Sequence, residues 1–206
     1  MEDRLIKAMA DLDEEQTLAI VKELIESGRS SISIVEDCRK GVEIVGQRYS
    51  NGEYFLSDLI MSEEIFRMVM ELLEPHIIYE NPPNGVPIVM GTVEGDIHDI
   101  GKNLVVYLLR SNGFRVYDLG VNVPPAKFVQ AVNETGARFL GLSVLLTFCV
   151  GSAKKVVDLL KEVGLREKIK VVVGGYPVDR VVKEYTGADD YANDITQAIK
   201  IFKKDL

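Results

Sequence analysis

The chain has 206 residues, 47% of them apolar and 27% charged, with a formal net charge of −8. That length holds one large domain or two small ones around a buried core, and the acidic balance argues against nucleic acid as a partner. No stretch approaches the ~18 consecutive apolar residues of a membrane span, and Met1-Glu2-Asp3-Arg4 does not open a secretory signal. Cys38 and Cys149 are too few and too scattered for a disulfide framework, so a reducing cytoplasm is the expected home.

Residues 1–80 read as helical throughout. A short first helix surrounds Leu5, Ile6 and Met9. Asp13 and the glutamates after it suit a second helix start, and Leu18, Val21, Leu24 and Ile25 recur at three- and four-residue spacing up to Gly28. Ser31 is the expected cap of a third helix, whose stripe of Val35, Cys38, Val42 and Val45 ends near Asn51-Gly52. Ser57 opens a fourth, with Ile60, Met61, Ile65, Met68, Val69, Leu72 and Leu73 on its apolar side, closing around Pro75. The prediction is a four-helix bundle. His76 falls at the end of the last helix, where it favours the dipole, and Cys38 reads as core.

This half carries 8 Lys and Arg against 18 Asp and Glu, a net of −10; residues 81–206 carry 16 against 14, a net of +2. The shift coincides with Asn81-Pro82-Pro83-Asn84-Gly85, which cannot continue a helix. Residues 81–85 are therefore the expected linker between domains 1–80 and 86–206, and the expected hinge.

Beyond it, apolar runs alternate with helical patterns. Val86–Val93, Phe114–Asp118, Phe139–Leu146, Lys170–Val173 and a short Asp189–Ala192 read as strands. Helices are expected over Ile100–Asn112, Pro125–Thr135, Ser152–Val163, Val178–Tyr185 and Ile195–Phe202. Such alternation predicts an α/β, flavodoxin- or Rossmann-like fold, a five-stranded parallel sheet with helices on both faces and ligands at the carboxyl ends of its strands.

Three signatures fall at such ends. Gly95-Asp96-Ile97-His98-Asp99-Ile100-Gly101 follows the first strand, Ser143-Val144-Leu145 lies on the third, and Gly174-Gly175 follows the fourth. Forty-one residues separate Gly101 from Ser143, and twenty-eight separate Leu145 from Gly174. Asp-x-His-x-x-Gly, Ser-x-Leu and Gly-Gly in that order resemble the cobalamin-binding domain of methionine synthase, of corrinoid mutases and of corrinoid methyl-carrier proteins. The resemblance covers nearly the whole chain, because the helical half is similar to the cap preceding that domain in methionine synthase. The segment Gly52–Leu59 is similar to the turn that sets apolar side chains over the cobalt, which singles out Phe55. Ser57 stands where related sequences often carry Pro and is expected to cap the helix instead.

What the resemblance implies is a cobalamin cofactor (methylcobalamin or a related corrinoid, with its cobalt) and a stand-alone carrier in a three-component methyltransferase system. One substrate-specific methyltransferase would load the cobalt from methanol, a methylamine or a methoxylated aromatic. A second would unload it to tetrahydrofolate or coenzyme M, and a reductive activator would restore the cobalt. His98 is the implied metal ligand and, with Asp96, the implied catalytic pair. A corrin already supplies four equatorial nitrogens, so the protein provides an axial imidazole, and a carboxylate two residues earlier can fix its tautomer and raise its basicity. Glu94, Gly95, Ile97, Asp99, Ile100 and Gly101 complete the cofactor-binding loop, with the glycines letting the backbone pass close to the macrocycle. Ser143, Leu145 and Thr147 are expected beside the displaced dimethylbenzimidazole, and Gly174-Gly175 removes two side chains from the wall of that slot. Lys102 and Asn103 match the family's continuation and also read as solvated first-turn residues.

Competing classes explain less. A cobalamin-dependent sensor or regulator wants a DNA-binding element, and residues 1–80 offer no basic recognition helix. The small subunit of a corrinoid mutase lacks the helical cap. A phosphoacceptor domain using Asp96 or Asp99 leaves Ser-x-Leu and Gly-Gly unexplained. No membrane or nucleic-acid partner is expected.

Overall fold

The structure is a computed structural model describing residues 2–76 and 81–204. The chain divides into two compact units, Met1–Ile78 and Tyr79–Leu206. No described helix is long and apolar enough to cross a membrane.

The first unit packs α1 (Glu2–Ala10), α2 (Glu14–Glu26), α3 (Ser31–Ser50) and α4 (Leu56–Leu73), with a 3-10 turn over Glu74–His76. Asp13 caps α2 by accepting the Gln16 N–H at 2.9 Å. The cap of α3 is Ser30 rather than Ser31, its hydroxyl accepting the Ser33 N–H at 3.3 Å. At α4 Ser57 does not act as the cap, because the helix begins one residue earlier, with Phe55 in the cap position. Asp58, three residues in, reaches back to the Phe55 N–H at 2.7 Å. Leu5, Met9, Val35, Val45, Ile65 and Val69 are buried, whereas Ile60 and Met61, expected on the core side of α4, are 61% and 45% exposed. The buried stripe of α4 runs instead through Ser62, Ile65, Phe66, Val69 and Leu73.

Two features lock the bundle. Gly41 brings α3 onto α1: a Cβ there would lie 2.5 Å from the Met9 Cβ and 3.0 Å from the Ile6 carbonyl oxygen. Asp37, also buried, is paired with Arg29 at 2.5 Å and Lys40 at 3.2 Å. Cys38 beside it is core, and burial, reinforced by the Asp37 charge, pushes its thiol up to about 12.

The second unit has five parallel strands: β1 (Pro87–Thr92), β2 (Arg115–Asp118), β3 (Phe139–Ser143), β4 (Lys170–Gly174) and β5 (Asp190–Ala192), in the order β2-β1-β3-β4-β5. Five helices connect and follow them: α5 (Ile100–Ser111), α6 (Pro125–Thr135), α7 (Val150–Glu162), α8 (Arg180–Thr186) and α9 (Ile195–Lys204). Crossovers from β1 to β2 and from β2 to β3 leave on opposite sides, so helices cover both faces: α5 packs with α9, and α6 with α7, which also meets α8. Alternation along β3 serves both layers. Leu140 and Leu142 enter the α6–α7 core, while Phe139 meets Phe114 and Phe202 edge-on at 6.4 and 5.6 Å.

Asn81–Gly85 is bound into this unit rather than spanning open space. The Asn81 carboxamide accepts the Val116 N–H at 2.8 Å and donates to the Val116 carbonyl at 3.2 Å, which satisfies the outer edge of β2. Gly85 lies so close that a Cβ would sit 2.4 Å from the Gly113 carbonyl oxygen. The segment expected as a hinge is thus hydrogen-bonded to the edge of the sheet at Asn81.

Gly41→Ala tests the α1–α3 contact. The added methyl has no room without separating two backbones, so the bundle should lose about 1–3 kcal/mol, read as a lower thermal midpoint. An unchanged midpoint would show that this approach does not hold the helices together.

Candidate functional site

Strand β1 lies between β2 and β3, so the chain leaves it first to one side and then to the other, which opens a crevice at the carboxyl ends of β1 and β3. The loop Glu94–Asp99 emerges there. Gly95 is left-handed, with φ +89°, and a Cβ on it would lie 3.2 Å from the Cys149 Sγ. The Asp96 N–H returns to the Val93 carbonyl at 3.1 Å, which points the Asp96 side chain inward.

That carboxylate is fully buried and takes four N–H groups. Its Oδ1 accepts the His98 backbone N–H at 3.1 Å and the His98 Nδ1–H at 2.7 Å. Its Oδ2 accepts the Leu145 and Leu146 N–H groups at 2.7 and 3.0 Å. Burial acts to raise its pKa, but the donors Leu145, the His98 ring and Leu146 outweigh burial and hold the carboxyl below its usual range. The same bonds account for the early end of β3. Leu145 and Leu146, expected within the strand, turn out of the sheet because their N–H groups point to Asp96 instead of to neighbouring strands.

The His98 ring, 47% exposed, is oriented by Asp96, and its carbonyl accepts the hydroxyl of buried Thr92 at 2.9 Å. With Nδ1 donating to the carboxylate, Nε2 carries the lone pair and is the available metal-binding atom. Among the described residues no three His, Cys, Asp or Glu side chains gather to hold a metal ion. One fixed imidazole suits a metal that brings its own equatorial ligands, and the donor set fits a corrin.

The remaining expected residues take varied places. Glu94, Ile97 and Asp99 are exposed, Ile97 at 71%. Ile100 is half-buried at the start of α5, and a Cβ on Gly101 would meet no atom of the chain, so the loop has an open flank. Ser143 is half-buried at the end of β3, Leu145 is 42% exposed, and exposed Thr147 opens a 3-10 turn. Gly174 and Gly175 are half-buried at the end of β4. Gly175, with φ +137°, has a reason other than slot width: a Cβ there would lie 1.8 Å from the Val144 carbonyl oxygen. It lets the end of β4 run against the end of β3. Phe55 belongs to the first unit, where it is 72% exposed and not bundle core.

Lys102 is not a solvated first-turn residue. Its side chain is 1% exposed and donates to Asp118 Oδ2 and Asn103 Oδ1, each at 2.6 Å. Asn103 continues to Asp99 Oδ2 at 3.1 Å, so a polar chain runs from the end of β2 to the residue after His98. Buried Cys149, behind Gly95, has its thiol pKa raised by burial first and by the Asp96 charge second. Sequence reasoning missed Thr92, Asn122 and the Lys102–Asp118 pair. For Asp118 and Asn122 the signal was the turn composition of Asp118-Leu119-Gly120-Val121-Asn122 after the second strand.

Comparison with known proteins follows the two units. Residues 86–200 match a family described as the B12 binding domain, and residues 1–74 match a second family of that description. Dimethylamine corrinoid protein 1 of Methanosarcina mazei is 36% identical over 197 residues, covering 95% of this chain and 91% of its own length. The structure of the Methanosarcina barkeri monomethylamine corrinoid protein matches with a TM-score of 0.88 at 32% identity, covering 98% of this chain and 96% of that one. A chain of the methanol:cobalamin methyltransferase complex from Methanosarcina barkeri matches with a TM-score of 0.56 at 30% identity, covering 98% of this chain and 77% of that one.

Asp96→Asn tests the central carboxylate. An amide has one acceptor oxygen for four N–H groups, so the cofactor-free protein should lose about 1–3 kcal/mol of stability. Corrinoid affinity or turnover should fall ~10–100-fold. A variant with wild-type melting and wild-type binding would remove Asp96 from the site's architecture.

Proposed function

The chain belongs to the corrinoid proteins that join two B12-binding domains, and we propose that it carries a methyl group between two methyltransferases. The observation that carries the reading is the half-exposed His98 ring, set by a buried carboxylate at 2.7 Å with its second nitrogen available. When bound, a corrin's cobalt supplies the nucleophile and the seat for the methyl group. This chain's residues supply the rest. His98 would hold the metal through Nε2, and Asp96 fixes the orientation and tautomer of the ring. Ser143, Leu145 and Thr147, beside the Gly174-Gly175 turn, receive the displaced benzimidazole tail.

The relatives support a one-carbon donor of the methylamine or methanol class, since their names carry dimethylamine, monomethylamine and methanol. A methoxylated aromatic is the other donor on this reading. A donor-specific methyltransferase is the loading partner, tetrahydrofolate or coenzyme M is the acceptor through a second enzyme, and a reductive activator returns the cofactor to service. Assay of the reconstituted, reduced protein with methyltransferases over a panel of methylamines, methanol and aryl methyl ethers identifies the donor. Transfer from none of them would overturn the carrier reading.

Phe55, with exposed Leu56, Ile60 and Met61, forms an apolar face on the first unit that we assign to cover the cofactor's upper side. Arg48 stiffens the turn beneath it, donating to the Ala10 carbonyl at 2.6 Å and to the Tyr54 hydroxyl at 2.8 Å.

Two measurements check these assignments. The reconstituted Co(II) protein should show nitrogen hyperfine structure in its electron paramagnetic resonance spectrum, altered when histidine is isotopically labelled; an unaltered pattern would exclude His98 as the ligand. Phe55→Ala should speed photolysis of the methylated cofactor while leaving bundle stability within ~0.5 kcal/mol, because the side chain is exposed. Photolysis at the wild-type rate would dismiss Phe55 as a cover.

A further inference from the structure

Only two non-glycine residues with positive φ occur among the described residues, Leu12 and Asn122, and Asn122 has φ +51°. The left-handed conformation costs roughly 1 kcal/mol for most side chains and is best tolerated by Asn. Asn122 lies between β2 and α6, just before Val123, which bridges Val93 beyond the end of β1. Two bonds depend on its conformation. Its Oδ1 accepts the Gly95 N–H at 2.8 Å, and its own N–H donates to the Asp96 carbonyl at 2.9 Å. Both reach across to one dipeptide, the left-handed turn on which the His98 carboxylate partner is mounted.

We infer that Asn122 is a positioning residue for His98, acting through the Gly95–Asp96 turn; this rests on the reading of His98 as the corrinoid ligand. The Asp96 carboxylate is tied to the ring at 2.7 Å and to Leu145 and Leu146 on its far side. Its backbone must therefore be held independently, or the carboxylate would follow the β3 loop and turn the imidazole with it. Asn122 provides that hold from the β2–α6 loop, while Cys149 closes the opposite side of Gly95. The carboxamide is suited to this: a neutral oxygen accepts the Gly95 N–H without placing a second negative charge beside buried Asp96.

Three variants of the full chain separate the side chain from the backbone. Asn122→Gly keeps the positive φ and removes the acceptor. Asn122→Asp keeps the acceptor, and Asn122→Ala removes it while adding strain. In the cobalamin-reconstituted Co(II) state, Asn122→Gly should reduce imidazole ligation about tenfold, with Asn122→Ala no better and Asn122→Asp recovering only part of it, because it restores the acceptor but sets a second negative charge beside Asp96. In the cofactor-free chain, nuclear magnetic resonance should show faster exchange of the Gly95 amide in Asn122→Gly. The His98 ring signal should shift, with the melting temperature near wild type. Undiminished ligation and an unmoved His98 signal in Asn122→Gly would overturn the inference. A wild-type protein lacking imidazole coupling would overturn the ligand reading alone, and the cofactor-free resonances would then decide the positioning role.

Discussion

A carboxylate shut away from water must find its solvation within the protein, and that requirement at Asp96 organises the second unit. Four N–H groups converge on it, two from His98 and two from Leu145 and Leu146. Each has a consequence elsewhere. The pair on Oδ2 draws the chain out of the sheet after Ser143 and sets where β3 stops. The pair on Oδ1 fixes the backbone and ring of His98 together. Because the donors outweigh the cost of burial, the group stays ionised, and the neighbouring imidazole faces a permanent negative charge.

The sheet brings these partners within reach. Placing β1 between β2 and β3 sets the loops after all three strands around one crevice. Val93 bonds the Ser143 carbonyl on one side and bridges Val123 on the other. The end of β4 approaches through Gly175, whose missing side chain is the condition for contact with Val144. The Lys102–Asp118 pair at the base of α5 does for β2 what Asp96 does for β3, joining a strand end to the loop that bears His98. A buried ammonium with two oxygen partners is costly to disturb, which suits a fixed support.

The helical unit follows a different logic. Its core is an ordinary buried stripe closed by a glycine contact, yet one end of α4 turns Phe55, Leu56, Ile60 and Met61 to solvent. The Arg48–Tyr54 link keeps the turn beneath it in one shape.

Chain order, the change from helical to alternating pattern and the spacing of the three signatures were legible in the amino-acid sequence, because each is a property of residues close together along the chain. Periodicity places an apolar stripe, and Asp-x-His places a carboxylate two residues from an imidazole. What only the tertiary structure decided depends on partners far apart. Gly95 meets Asn122 across 27 residues, and Asp96 meets Leu145 and Leu146 across 49 and 50. The burial of Lys102, the approach of Gly175 to Val144, the hydroxyl of Thr92 on His98 and the exposure of Ile60 and Met61 are of the same kind. Local pattern reports which face of an element is apolar. Whether a neighbour covers that face, or a distant carboxylate claims a strand's last N–H groups, is settled only when the elements pack.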